Sequence, residues 1–219
     1  MLVRFGHRSA TPLFALLGVW LIVAGCGQAA TREEGTMADQ RQHGPGALTL
    51  ARITPRDPGV TVRVTSEAVG ADGSIDLRHS AYGEGVSPPL GWTPVAGAGA
   101  YAIILEDPDA PGATPFVHWL IWNIPGDVSS LPEGVPNTGR PAWPQGATQA
   151  RNGVGTYGYF GPRPPRGTGT HHYHFQVFAL DHRLVLRGDA DIRALTQAMD
   201  GHVLADGELV GTFAAPAQQ

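Results

Sequence analysis

The sequence predicts an all-β domain, a sandwich or barrel, behind an export leader. Three observations carry this. Gly and Pro are frequent, 30 and 19 of 219 residues, and both punctuate turns. Short apolar runs recur between these turn signals. Only one segment carries apolar residues at helical spacing.

The chain opens with Arg4, His7 and Arg8 ahead of the apolar run Pro12–Ala24. That run is too short to span a bilayer comfortably as a mature helix. A basic start, a short apolar stretch and small residues before a break describe a secretory signal peptide, residues 1–25. Val23-Ala24-Gly25-Cys26 has the form of a bacterial lipobox. Cys26 would be lipidated, by an acyl chain such as palmitate, and become the new N-terminus. The other reading is an ordinary cleaved leader with a chance cysteine. Because Cys26 is the one cysteine of the chain and stands where a lipobox needs it, the lipoprotein reading is preferred. The protein is then anchored on the extracytoplasmic face of a bacterial cell membrane.

Residues 26–46 are polar and aperiodic, a flexible tether. Residues 47–219 suit one domain of ordinary size. With one cysteine there is no internal disulfide, so core burial must hold this domain together. The formal net charge is −4 and every basic residue is Arg. No basic face marks a nucleic-acid partner.

Within the domain, Val60, Val62 and Val64 alternate with Thr61, Arg63 and Thr65, which predicts a half-buried strand. Ala100–Leu105, Val117–Ile124 and Tyr173–Leu180 are apolar on both faces and read as central, covered strands. Gly126–Ala150 is rich in Pro and Gly and reads as an extended surface loop. Asp189–Met199 is the one helix: Ile192, Leu195 and Met199 form a stripe, Asp189 or Asp191 caps its start, and Gly201 ends it.

Three polar signatures sit in this apolar setting: Asp107-Pro108-Asp109-Ala110-Pro111; His118-Trp119-Leu120-Ile121-Trp122-Asn123; and Gly161-Pro162-Arg163-Pro164-Pro165-Arg166-Gly167 running into His171-His172-Tyr173-His174-Phe175. Carboxylates, imidazoles and a phenol at the ends of buried strands are costly unless they meet partners, and they are the groups a small anion pocket uses. Together, in this order, they resemble the phosphatidylethanolamine-binding protein family, in its bacterial Raf-kinase-inhibitor-like branch. The resemblance spans Ser66 to Phe213. It implies an antiparallel β-sandwich with Greek-key-like connections and short peripheral helices. It also implies a pocket for a phosphate-containing small molecule or phospholipid head group, no cofactor, and a protein partner such as a kinase or protease that is inhibited or regulated.

The resemblance places Asp107 and Asp109 at the pocket mouth, with Pro111 and Pro164 as walls; an ordinary strand-to-loop turn would use the same residues. His118 matches the pocket histidine, although a lone histidine on the face of Phe116, Leu120 and Trp122 is more often a satisfied core group. With its strand beside that of Asp107, the carboxylate would accept from one ring nitrogen and support protonation, leaving the other nitrogen to donate to an anionic oxygen. Strand parity puts His171 and Tyr173 on one face and His172 and His174 on the other, and the resemblance implies that the first pair faces the pocket. A ligand's ammonium group would rest against Asp107 or Asp109.

The sequence departs from that branch at two positions. Arg163 stands where a cysteine is usual and either grips phosphate or points to solvent, with solvent slightly favoured. Phe160 replaces a usual second glycine. Ser87-Pro88-Pro89-Leu90 with Trp92, and Asn152 with Gly155, match structural parts of the family pattern.

The competing reading is a zinc-dependent hydrolase with His172 and His174 on one strand face and His118 or Asp107 completing the ligands. Parity speaks against it, because it separates that pair from His171 and Tyr173. No Gly-x-Ser-x-Gly elbow points to a serine hydrolase.

Overall fold

The computed structural model describes residues 47–217. The signal-peptide, lipidation and tether expectations, Cys26 included, lie outside them.

Two antiparallel sheets carry the fold. The larger has five strands in the order β6 (Thr148–Gln149), β4 (Phe116–Pro125), β3 (Ala100–Asp107), β7 (Thr170–Leu180) and β8 (Val203–Ala214). The smaller has β1 (Val64–Thr65), β2 (Leu90–Trp92) and β5 (Ser130–Leu131) in the order β1-β2-β5. Few helical residues accompany them: α1 (Thr49–Arg52), a 3₁₀ turn at Leu77–His79 and α2 (Ile192–Met199). All pairings between named strands are antiparallel, as the all-β expectation requires.

Strand β3 is buried at all eight positions because both faces are covered. Tyr101, Ile103 and Leu105 join Val64, Leu90, Trp92 and Leu131 of the smaller sheet in one cluster. Ala100, Ala102 and Ile104 pack with Ile53, Leu184, Leu195 and Met199 in a second. Helix α2 thus seals the second face. Asp191 caps it by accepting from the Ala194 amide, and burial of Leu195 and Met199 contributes about 1.5–3 kcal/mol each.

Strand β4 does not alternate regularly. Leu105 pairs with Trp119 while Glu106 pairs with Val117, so His118 is an extra residue in a bulge. A second irregularity lies near Asn123, which adopts φ 59°. Its amide accounts for the choice of residue there, donating to the Leu184 carbonyl at 2.9 Å and accepting from the Leu184 amide at 2.7 Å.

Two expectations need correction. Val60 is exposed, and the buried alternation begins at Val62. The 126–150 stretch is not simply a surface loop. It contains β5 and β6 and buries Leu131, Val135, Ala147 and Gln149. Gln149 accepts from the Trp119 indole at 2.6 Å and donates to the Pro136 and Thr138 carbonyls. Two-residue strands and a satisfied buried amide leave no periodic trace in the sequence.

Candidate functional site

The site forms where β3 ends, β4 bulges and β7 begins. Asp107, the last residue of β3, is buried. Its Oδ1 accepts from the amides of Asp109 (2.8 Å) and Ala110 (3.1 Å), an Asx turn held by the flanking prolines. Its Oδ2 accepts from His171 Nδ1 at 2.8 Å. His171 Nε2 lies 2.8 Å from the Thr168 hydroxyl, whose proton goes to the Pro165 carbonyl.

The bulge carries His118 to the face opposite Leu120 and Trp122, which overturns the simple parity expectation. There its ring meets Phe116 edge-on at 4.8 Å, Phe160 in a stack at 5.6 Å and Tyr173 edge-on at 5.1 Å. Its hydrogen-bond partner is not Asp107. Nδ1 donates to the Phe160 carbonyl at 2.7 Å, and the Phe160 amide donates back to the His118 carbonyl. Burial pushes the imidazole down to about 4, outweighing the Phe160 carbonyl and the Asp107 charge that act the other way. The ring is neutral at pH 7, with its proton on Nδ1. With its Nδ1 proton committed to the Phe160 carbonyl, Nε2 carries no proton and is an acceptor, not the donor expected from sequence; a backbone contact with Gly161 also acts against the downward shift.

Behind His118, the Tyr173 hydroxyl is buried, with Asp107 and the Arg163 backbone as its polar neighbours. Burial and the nearby Asp107 charge hold its proton firmly on.

A loop of residues 159–169 closes the site. Tyr159 donates to the His79 carbonyl at 2.7 Å, Ala81 to Pro162, and the Tyr82 hydroxyl to Pro164 at 2.8 Å. Gly161 is required by this close approach, since a Cβ there would lie 2.4 Å from the His79 carbonyl oxygen.

The result is a cavity of about 250 Å³, whose wall includes Asp107, Pro111, His118, His171 and Pro164. It is bounded also by Phe116, Val154, Phe160, Arg163 and Pro165, which sequence reasoning left out or left toward solvent. Arg163 is exposed and on the rim, so both alternatives weighed for it meet in one position. Asp109 and Tyr173 are not in the wall. Asp109 accepts from both the backbone and Nδ1 of His172 at 2.8 Å. Both carboxylates are therefore engaged by protein donors, and an ammonium group resting on either would have to compete with them.

The zinc arrangement does not form. His172 is paired with Asp109 and His174 with Glu208 at 2.9 Å, on the face of β7 away from His118.

Fold and site together define a class: an antiparallel all-β domain with a small pocket, part aromatic and part polar, at the end of its central strands. The profile of the phosphatidylethanolamine-binding protein family matches residues 65–214. The chain belongs to that family, whose members are in general non-catalytic binding proteins. A UPF0098 protein of Pyrococcus abyssi is 45% identical over 149 residues, 68% of this chain and 83% of its own length. A Mycobacterium tuberculosis protein named as a candidate lipoprotein, LppC, is 35% identical over 209 residues, 94% of this chain and 96% of its own. The crystal structure of Escherichia coli YbcL, described as a new member of the mammalian family, superposes with a TM-score of 0.66 at 28% identity. It covers 72% of this chain and 100% of YbcL.

Proposed function

We propose that this protein is an exported, lipid-anchored binding protein, not an enzyme, whose pocket takes a phosphate-type oxyanion on a small molecule or phospholipid head group. One observation carries the reading. His118 is a neutral, buried imidazole boxed by three aromatic rings, with Nδ1 committed to Phe160 and the residue itself part of the cavity wall. A monoprotonated phosphate donates its P–OH to Nε2. Its remaining oxygens accept from the rim guanidinium of Arg163, and the Tyr173 hydroxyl is close behind. The Asp107–His171 pair holds the frame. No nucleophile or converging metal set accompanies the pocket among the described residues.

The anchor is supported by the lipobox at Cys26 and by similarity to the mycobacterial protein. A partner protein, a kinase or protease, would meet the exposed rim at Arg163 and Pro165.

Inorganic phosphate and phosphoethanolamine, each titrated into the full chain while the His118 ring resonances are followed, test the pocket. Saturable shifts of His118 are expected from both. Shifts confined to surface histidines would refute the assignment.

A further inference from the structure

The ends of β7 and β8 farthest from the pocket hold a second cluster of titratable groups. Strand β7 stops at Leu180 and β8 starts at Val203, with α2 in the excursion between them. The Asp181 amide donates to the His202 carbonyl at 3.0 Å, and the His202 amide to Met199 at 2.9 Å. Backbone hydrogen bonds therefore fix Asp181, His182 and His202 side by side at the mouth of that excursion. The two imidazole rings stand 4.4 Å apart at 90°. Asp181 Oδ1 lies 2.5 Å from His182 Nδ1 and 3.3 Å from His202 Nδ1. One ligating atom from each residue can be chosen so that all three fall within 4.8 Å of one another.

Arg56 orients the carboxylate from the other side. Its guanidinium meets Asp181 Oδ2 at 2.7 Å, and its Nε donates to the Gly201 carbonyl at 2.7 Å. Oδ2 is thus held chiefly by the arginine, with His202 Nδ1 farther off at 3.5 Å, while Oδ1 lies closer to both imidazoles. Outer partners of this kind set the direction of a ligating carboxylate.

We propose that Asp181, His182 and His202 bind a late first-row divalent ion, zinc or copper(II). Two imidazoles and one carboxylate are a donor set of borderline softness, suited to these ions and poor for magnesium or calcium. The residues are at least partly exposed, so an ion from solution reaches them without opening the fold. Three protein ligands leave a coordination position for water or a further donor. Nine residues of β7 lie between His171 and Asp181, roughly 30 Å at the strand rise, so this site is independent of the pocket. Bound metal would staple the start and end of the α2 excursion.

The test is equilibrium metal binding by the untagged, detergent-solubilised full chain, in competition with a chromophoric chelator. Zn²⁺, Cu²⁺ and Mg²⁺ are compared on the parent, His202→Ala, Asp181→Asn and His118→Ala proteins. One Zn²⁺ or Cu²⁺ per chain is expected on the parent and on His118→Ala. Binding should weaken at least about tenfold in the other two variants, the scale on which even outer partners of a metal ligand act. Melting adds a second readout: zinc should raise the midpoint of the parent and not that of His202→Ala. Absence of uptake by the parent, or equal affinity in His202→Ala, would overturn the proposal.

Discussion

His171 Nδ1 donates to Asp107 Oδ2 across 2.8 Å, joining the end of β3 to the start of β7 with both side chains almost wholly removed from water. A buried carboxylate persists only when paired and hydrogen-bonded. Asp107 accepts from the Asp109 and Ala110 amides and from His171, so the pair acts as a brace for the cavity wall.

Removing one partner strands the other. His171→Ala and Asp107→Ala should each cost about 3–5 kcal/mol. The double variant should cost clearly less than the sum, because the residues share one interaction. Urea unfolding of the four proteins checks this, and additive losses would show that the two act separately.

His118 makes stability depend on pH. Its folded value is depressed to about 4 by burial, against an ordinary 6.5. As pH falls from 6.5 toward 4 the unfolded chain takes up this proton first, so the fold loses about 3 kcal/mol across that window. His118→Gln should lack this contribution. Urea midpoints from pH 7.5 to 4.5, compared between the two proteins, measure it; parallel curves would remove His118 as the cause.

Phe160 lies flat against His118 and keeps water from it. Phe160→Ala preserves the backbone carbonyl that accepts from Nδ1 but exposes the ring, so the His118 titration should move up toward 6.5. NMR titration of the ring protons reads this directly. An unmoved midpoint would assign the depression to groups other than Phe160.

Arg163 is an exposed rim charge. Arg163→Gln should weaken oxyanion binding by roughly three- to tenfold at low salt and by less at high salt, where the parent's advantage is screened. Titrations at two ionic strengths separate this from a loss inside the cavity, which would be insensitive to salt.

The central strands were legible because they are covered on both faces, so unbroken apolar runs marked β3, β4 and β7 without ambiguity. Parity placed His171 and His172 on opposite faces of β7 because that strand is regular over residues 170–179. The same rule failed for His118, since one bulge residue reverses a face and nothing in Phe116–Leu120 announces it. Pairing partners were misjudged for a related reason. Parity gives the face of each side chain but not the offset between neighbouring strands, so Asp107 was matched to His118 and not to His171. Phe160 and Thr168 were missed because loop residues carry no period. The one signal for Phe160 was its departure from the glycine usual in the resembled family.

The pocket is most directly tested by counting protons on binding. With His118 neutral, Nε2 can only accept, so a phosphate monoester whose second pKa is about 6 must arrive protonated or take up a proton as it binds. Calorimetric titration of the full chain with phosphoethanolamine at pH 7.5, in two buffers of different ionisation enthalpy, measures this. The account predicts uptake of close to one proton in the parent and binding at least about tenfold weaker in His118→Ala, the loss of one charge-assisted contact. Equal affinity in His118→Ala, or binding with no proton uptake, would contradict it.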